Sequence, residues 1–160
     1  MSTPPSSEAD VLDAGLGTPD VDPKRSHIMR SVGRENTGPE LTVRRFLHRH
    51  GFRFKLHDRS LPGSPDVVLP KWRTVVFVHG CYWHRHPGCR KATTPKTRTE
   101  FWQAKFDRNV ERDAANVAQL QEAGWDVVTV WECEAKGEGS LGDALSGLFA
   151  KRELSSEART

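Results

Sequence analysis

Five potential metal ligands constrain this chain more than any other feature. Cys81, His84, His86 and Cys89 fall within nine residues, and Cys133 ends a predicted strand far downstream. Three thiols and at least one imidazole match a four-coordinate structural zinc site. The coordination shell of such a site is closed to water, so the ion stabilises a loop and takes no part in catalysis. The spacing does not choose between His84 and His86, and three cysteines acting as small buried apolar residues are the alternative.

The net charge of +3 hides an asymmetry along the chain. Residues 1–23 contain five acids and no base and are rich in Ser, Pro, Asp and Gly, which predicts a disordered acidic leader. Residues 24–113 contain 20 bases, 8 acids and all seven histidines. Such a concentration of positive charge indicates a DNA or RNA partner, because each neutralised phosphate releases counterions. A solvated basic face is the alternative.

The chain length limits the number of domains. With 160 residues, we expect one domain over 24–154 and a tail over 155–160. The three cysteines and the lack of an apolar signal segment argue against secretion. No window approaches the roughly 18 apolar residues of a membrane span. We therefore expect a cytoplasmic protein.

A first firm helix is predicted from Pro39, which suits the first helical position, to His50, with Gly51 as its stop. Its buried stripe comprises Val43, Phe46 and Leu47. Glu40 lies three residues before Val43, which places it at the mouth of the inward face. An acid that complements the helix dipole is the alternative.

Four strands are predicted after this helix. Phe52, Phe54 and Leu56 alternate with polar residues, which indicates a half-buried strand. After the turn LPGSP, the runs DVVL and TVVFVHG indicate two buried strands that should pair as a hairpin. WDVVTVWEC predicts the fourth strand.

Helices are expected to flank these strands. A long helix should start with the capping pattern Thr97-x-x-Glu100 and end at Gly124. Its apolar side comprises Trp102, Phe106, Val110, Val117 and Leu120. Asp113 lies on that side, where a charge needs a partner. A closing helix over 140–154 and a short surface helix over 24–32 complete a mixed sheet flanked by helices, an α/β fold.

Asp66, at the turn into the second strand, is the first candidate for binding a divalent cation. Hard cations prefer carboxylate and carbonyl oxygens, and they activate water for phosphodiester hydrolysis. Pro-Asp before a hairpin is the arrangement of the PD-(D/E)xK nucleases, although a plain turn residue is the alternative. The expected Glu-x-Lys is absent, because residues 77–79 are Phe, Val and His. A later Glu134-Ala-Lys136 follows the fourth strand and should not face Asp66.

The motifs LPGSPD, FVHGCYWH, TEFW, NVERD and VWEC occur in this order between residues 24 and 136. Together they closely resemble the very short patch repair (Vsr) endonucleases, which use a histidine where related nucleases place Glu-x-Lys. The resemblance implies a restriction-endonuclease-like fold and Mg2+-dependent nicking of duplex DNA 5′ to the thymine of a T:G mismatch. Such mismatches arise by deamination of 5-methylcytosine. We also expect a monomer that works with other mismatch-repair proteins and a repair polymerase.

The resemblance also implies roles for the hydrolytic residues. Asp66 matches a metal-bridging carboxylate, and the carbonyl of Val78 matches a main-chain ligand of a pair of Mg2+ ions. His79 matches the catalytic histidine, and Asp113 matches the acid that orients it. Two further residues match groups that reach the phosphate and metal-bound waters, namely His84 and Glu40.

The same resemblance implies the zinc ligands and the DNA wedges. The ligands are Cys81, His86, Cys89 and Cys133, which leaves His84 free to act at the nick. Tyr82 and Trp83, next to His84, match a wedge that enters the base stack beside the mismatch, although aromatic core residues are the alternative. Met29 and Val32 resemble a second wedge in the minor groove, although a packed surface helix is the alternative.

Two rival functions fit part of the sequence. A non-catalytic zinc module that binds DNA explains the cysteines and the charge, but it leaves Asp66, His79 and Asp113 without a role. A restriction-type or structure-specific nuclease keeps the fold and changes the substrate. The flanking bases that the protein recognises do not follow from the sequence, because direct readout depends on geometry in the groove.

Overall fold

Residues 35–158 are described by the structure, a computed structural model. The expected acidic leader, the surface helix over 24–32 and the second wedge at Met29 and Val32 lie outside the described residues. Within residues 35–158, no helix is both long and apolar enough to cross a membrane.

Four strands and four α-helices make up the described part of the chain. In chain order they are α1 (Gly38–Arg49), β1 (Lys55–Leu56), β2 (Val67–Leu69), β3 (Thr74–His79), α2 (Thr99–Glu122), β4 (Asp126–Trp131), α3 (Glu138–Ala144) and α4 (Ser146–Glu157). Short 3-10 turns follow β2 and β4. The helix predicted from Pro39, the two buried strands, the long helix and the fourth strand are all confirmed.

The sheet is mixed, as predicted. Its order is β1-β2-β3-β4, with β1 and β3 antiparallel to β2. The predicted hairpin of β2 and β3 is confirmed, with Val67 opposite Val76. β3 and β4 are parallel, and α2 provides the crossover that a parallel pair requires. Consequently β3 lies inside the sheet, where its end meets elements from both faces.

Two apolar cores lie on opposite faces of the sheet because side chains alternate along β3. Val75 and Phe77 pack towards α2 with Leu120. Val76 and Val78 pack on the other face, against a core that α1, α3 and α4 complete. By the same alternation, His79 lies on the α2 side of the sheet. Val78 and His79, the last two residues of β3, therefore lie on opposite faces of the sheet.

β1 is shorter than the predicted strand, which should have begun near Phe52. Phe52 is buried and packs edge-on against Trp72 and Phe149, so it belongs to the core rather than to a strand. Leu56 is 43% exposed, because β1 is an edge strand of only two residues. The alternation of apolar residues located the strand, but only Lys55 and Leu56 of the predicted segment pair with β2.

α2 departs from prediction at its start and on one face. The capping pattern at Thr97 is wrong, because the N-cap is Arg98 at φ 52° and no side chain caps the helix. Val110 is 44% exposed, although it was expected in the apolar stripe. The stripe is buried where the sheet covers Leu120 and where aromatic rings cover Phe106, and Val110 lies between these two contacts.

The predicted closing helix is two helices, α3 and α4, that meet at Leu145. Leu141, Leu145 and Leu148 are each at most 1% exposed. The break at Leu145 lets both helices turn apolar residues into one core. α4 continues to Glu157, into the segment expected to be a tail.

Candidate active site and metal cluster

The carboxyl end of β3 brings together His79, His84 and Asp113. His79 ends the strand on the side of α2, and the turn that follows returns His84 over it, with the His84 amide donating to the carbonyl of Gly80 at 3.1 Å. The two imidazole rings stack with centroids 3.9 Å apart and planes 9° apart. Asp113 reaches them from the middle of α2, so one ligand atom from each residue lies within 4.8 Å of the others.

The hydrogen bond of Asp113 differs from the predicted one. Asp113 Oδ2 lies 2.5 Å from Nδ1 of His84, so the acid orients His84 and the expected pairing with His79 is wrong. The physical reason is the turn after β3, which places the His84 ring against the ring of His79 and within reach of α2. Sequence spacing could not show this fold-back.

Burial and neighbouring charges shift the pKa values of His79 and Asp113. The pKa of His79 is lowered to about 4, chiefly by burial and also by the adjacent His84, against the opposing charge of Asp113. Burial raises the pKa of Asp113, but the His84 hydrogen bond and the nearby positive charges outweigh it, so the net shift is downwards. At neutral pH the site therefore holds a neutral His79 beside an ionised Asp113.

Asp66 also lies beside the end of β3, at the start of the neighbouring strand β2. Asp66 directly precedes β2, and the Val78 amide of β3 donates to Asp66 Oδ2 at 2.7 Å. The pKa of Asp66 is raised to about 6, chiefly by burial, against the hydrogen bond from the Val78 amide, and the charge of Glu40 contributes to the rise. A carboxylate in this setting is stabilised by a cation, since a positive charge offsets both burial and repulsion.

Glu40 lies in the predicted place, at the inward mouth of α1. Its side chain is only 4% exposed and accepts hydrogen bonds from the Asn36 amide, Thr37 Oγ1 and Arg44 Nη2, at 2.9, 2.8 and 2.9 Å respectively. The carboxylate therefore holds the two residues directly before α1 and also lies close to Asp66, within the 4.8 Å cluster that includes both acids. Glu40 is an acid in the first turn of α1, as the helix-dipole interpretation requires, and its role in an active site stays a prediction.

Sequence analysis missed two residues beside these acids: His57, which belongs to the cluster, and Arg44, which contacts His57 and Glu40. His57 follows β1 with φ 46° and presents Nε2 to Arg44 Nη2 at 2.8 Å. Its Nδ1 lies 3.9 Å from Asp66 Oδ1. The spacing of Arg44 four residues after Glu40 on one helix could have indicated an ion pair. His57 gave no comparable signal, because it lies in an irregular segment.

A second cluster gathers the sulfur ligands. One potential ligand atom from each of its four residues lies within 4.8 Å of the others, and these residues are Cys81, His86, Cys89 and Cys133. His86 Nδ1 lies 3.6 Å from Cys81 Sγ and 3.3 Å from Cys133 Sγ, and its ring stacks on Trp131. The structure thus brings His86 to the cysteines, whereas His84 lies with Asp113. A donor set of three sulfurs and one nitrogen suits a tetrahedral soft or borderline cation.

Tyr82 and Trp83 are half-buried and pack on α2. The Tyr82 ring meets Phe106 edge-on with centroids 5.2 Å apart, and the Trp83 ring lies 6.2 Å from Trp102. Lys105 Nζ lies 5.5 Å from the centre of the Trp83 ring. Within the described residues, the Tyr82 hydroxyl is buried and has no hydrogen-bond partner. The two rings therefore pack on α2 without being fully enclosed by the protein.

Glu134, part of the later Glu-Ala-Lys segment, has a local structural contact. Its Oε2 accepts a hydrogen bond from the Trp131 amide at 2.8 Å, which closes the turn after β4. The Glu40, His57 and Asp66 cluster contains no residue from this segment. The carboxylates of Glu40 and Asp66 lie close together beside the end of β3, and the acid-bound His84 follows the same strand end. Oxygen donors and an acid-bound imidazole are groups that could serve metal-assisted hydrolysis.

Comparison with known proteins identifies the family. A family model described as DNA mismatch endonuclease Vsr matches residues 19–91. The chain is 47% identical over 118 residues to the Type II nicking enzyme V.XorIIP of Xanthomonas oryzae pv. oryzae, across 74% of this chain and 86% of that one. It is 43% identical over 125 residues to the Type II nicking enzyme V.NmeAIP of Neisseria meningitidis, across 78% of this chain and 89% of that one.

A third relative carries the family name itself. The chain is 44% identical over 119 residues to the DNA mismatch endonuclease Vsr of Escherichia coli, across 74% of this chain and 76% of that one. The chain belongs to the Vsr family of DNA mismatch endonucleases. It is therefore a hydrolase of the DNA-nicking type, which confirms the resemblance found in the sequence motifs.

Proposed function

We propose that this protein nicks one strand of duplex DNA 5′ to the T of a T:G mismatch that deamination of 5-methylcytosine has left, and so initiates very short patch repair. The family membership supports a mismatch endonuclease. The single observation that carries the assignment of the site is the end of β3. There Val78 holds Asp66, and the next residue, His79, stacks on the Asp113-bound His84.

The fold that we propose is restriction-endonuclease-like. Its support is the antiparallel hairpin with Asp66 at its head, followed by a parallel strand across a long helix. This arrangement places an acid next to the residues at the end of the second hairpin strand. In this chain those residues are Val78 and His79, so an imidazole occupies the neighbourhood that Glu-x-Lys has in related nucleases.

The donor atoms around Asp66 fit Mg2+. The Asp66 carboxylate, the nearby Glu40 carboxylate and the Val78 carbonyl are oxygen donors, which hard divalent cations prefer. A bound pair of Mg2+ ions would polarise the phosphoryl group and lower the pKa of a coordinated water. Asp66 and the Val78 carbonyl would hold the ions, and Glu40 would reach their water molecules.

His84 has the geometry of a general base. Asp113 accepts the Nδ1 proton of His84, which leaves the Nε2 lone pair free to take a proton from the attacking water. As the water oxygen bonds to phosphorus and the bond to the leaving DNA oxygen breaks, Asp113 stabilises the imidazolium that forms. His79 stays neutral and keeps the plane of His84 fixed by stacking, with its own nitrogen available to the phosphate.

A structural Zn2+ fits the sulfur cluster. The ligands would be Cys81, His86, Cys89 and Cys133, which connect the turn after β3 to the segment after β4. His84 lies between two of these ligands in the chain. The ion would thereby brace the loop that presents His84 to Asp113, a role that suits a closed coordination shell.

The aromatic pair supports recognition of a weakened base stack. We assign Tyr82 and Trp83 as the wedge, because they follow Cys81 directly and are only half-buried against Phe106 and Trp102. Insertion beside a mismatch costs less than insertion beside a paired base, since the mismatch is already poorly stacked. The unpaired, buried Tyr82 hydroxyl favours a change of environment when DNA binds.

Cleavage of matched duplexes tests this function. With Mg2+, we expect a single nick 5′ to T in a T:G duplex and little cleavage of T:A or of other mismatches. Equal cleavage of all the duplexes would rule out mismatch repair and favour a restriction-type nuclease. Asp66→Ala should abolish nicking while DNA binding persists, and the exposed Asp143→Ala is the matched control. Unchanged nicking by Asp66→Ala would contradict the assigned site, whereas binding without any nicking by the wild-type protein would favour a zinc DNA-binding module.

A further inference from the structure

His57 is a half-buried polar residue that the proposed mechanism does not use. It lies between β1 and the LPGSPD turn, with a side chain only 17% exposed and a left-handed backbone at φ 46°. A non-glycine residue in that conformation is strained, and such residues persist where surrounding contacts hold them. The contacts of the His57 ring lead to the Glu40 and Asp66 carboxylates, directly or through Arg44.

Arg44 determines which nitrogen of His57 carries the proton. Arg44 Nη2 lies 2.8 Å from His57 Nε2, and a guanidinium can only donate hydrogen bonds. Nε2 must therefore be the acceptor, because a proton there would point at another donor. The neutral ring then carries its proton on Nδ1, the nitrogen that faces Asp66 Oδ1 at 3.9 Å.

Arg44 is itself held in place. Its Nη1 donates to Asn36 Oδ1 at 2.7 Å, and its Nη2 donates to Glu40 Oε2 at 2.9 Å. Its side chain is only 11% exposed, so these contacts are largely screened from water. The ring of His57 is consequently anchored on its Nε2 side by a group that cannot rotate freely.

The two oxygens of Asp66 are addressed from opposite sides. Oδ2 receives the Val78 amide at 2.7 Å, and Oδ1 faces Nδ1 of His57. The distance of 3.9 Å between His57 and Asp66 exceeds a hydrogen bond, so in this state the contact is the attraction between an N–H dipole and a carboxylate. A small rotation of the carboxylate about its last bond would change this distance, whereas the Val78 contact limits such rotation.

We propose that His57 is a positioning residue that orients the Asp66 carboxylate for a divalent cation, through an Nδ1 proton that Arg44 enforces. This inference rests on the proposed function, since it takes Asp66 as the cation ligand. His57 does not itself bind the ion, because neither nitrogen has a free lone pair: Nε2 accepts from Arg44, and Nδ1 is protonated. Partners of this kind contribute about 10- to 100-fold to metal affinity.

Two conservative variants separate the two ends of the imidazole. In His57→Asn, the side-chain nitrogen is as many bonds from Cβ as Nδ1, so the donor towards Asp66 is retained and the contact with Arg44 is lost. In His57→Gln, the terminal atoms match Nε2 instead, so Arg44 keeps a partner and Asp66 loses its donor. Asn also tolerates the left-handed backbone of this position. His57→Ala removes both contacts.

Binding of Mn2+ alone to the full-length protein, followed by electron paramagnetic resonance, tests the inference without turnover. The Mn2+ that binds to the wild type but not to Asp66→Ala is the ion at the Asp66 site. His57→Ala and His57→Gln should bind this Mn2+ about 10- to 100-fold more weakly, and His57→Asn should restore most of the affinity. Wild-type affinity in all three variants, or restoration by Gln rather than Asn, would overturn the inference. If His57→Ala does not fold, the contrast between Asn and Gln still decides.

Measurements of thermal unfolding and of nicking kinetics distinguish a positioning role of His57 from a merely structural one. A positioning role predicts that Mn2+ affinity and the Mg2+ dependence of nicking change together while Tm follows neither. Affinity losses that track losses in Tm would overturn it. If the wild type binds Mn2+ through Asp66 but does not nick T:G duplexes, the proposed function fails and the role of His57 stands. If T:G nicking occurs and the His57 variants bind Mn2+ normally, the role of His57 fails alone.

Discussion

Asp113→Asn is the substitution that tests the chemistry of the site most directly. The side chain keeps its shape but loses the charge that faces Nδ1 of His84 at 2.5 Å. An amide can also donate to Nδ1, which would move the His84 proton to Nε2 and remove the base. The geometry of α2 should be unaffected, because the Asp113 side chain is still 19% exposed and takes no part in the apolar cores.

The expected cost follows from the charge that develops on His84. Two unit charges near a protein surface at about 4 Å interact by about 4 kcal/mol, and partial exposure of both side chains reduces this value. Loss of a general base costs about 10²- to 10⁴-fold in rate, which corresponds to about 3 to 5 kcal/mol. Both estimates agree, so we expect kcat to fall by about 10²- to 10⁴-fold in Asp113→Asn.

Single-turnover nicking of a T:G duplex by excess enzyme measures this effect. The matched control is Asp107→Asn, an exposed acid on the same helix, which should nick at the wild-type rate. DNA binding, measured by fluorescence anisotropy, should be similar for both variants. A wild-type nicking rate in Asp113→Asn would refute the base assignment. Full activity of His84→Ala would also refute it, and loss of activity in His79→Ala but not in His84→Ala would make His79 the base instead.

Four further substitutions test the sulfur cluster, the buried ion pair and the packing of α2. Cys133→Ser should reduce bound zinc, measured by plasma mass spectrometry, and lower Tm, because it removes the proposed ligand that would connect the end of β4 to the loop. Zinc content equal to that of the wild type would contradict this. Arg44→Ala should lower the free energy of unfolding by about 3 to 5 kcal/mol in urea, since it leaves Glu40 buried without its charged partner. Leu120→Ala should cost about 2 to 5 kcal/mol, whereas Val110→Ala should cost far less, because Leu120 is 0% exposed and Val110 is 44% exposed. Equal costs at these two positions would contradict the observed packing of α2.

Local patterns in the sequence determined most of the secondary structure. The apolar spacing around Val43 and Leu47 indicated α1, and Gly124, at φ 82°, ended α2 as predicted. The hairpin of β2 and β3 followed from two apolar runs joined by a short turn. These features depend on neighbouring residues, which is why periodicity and turn chemistry identify them.

Motif order also determined the family and the residues that gather at the site. Asp66, His79, His84 and Asp113 were all named from the sequence, and the structure brings the last three into one cluster. The choice of His86 for the sulfur cluster came from the resemblance, since spacing left His84 equally suitable. Family motifs carry this information because the residues in them belong to one site in the folded protein.

Only the tertiary structure decided the contacts between these residues. The pairing of Asp113 with His84 depends on a turn that folds back over His79, and the role of His57 depends on the approach of α1 to the β1 segment. The break at Leu145 likewise depends on how α3 and α4 share a core. In each case the deciding free energy comes from atoms distant in sequence, through burial and hydrogen bonds that no local pattern encodes.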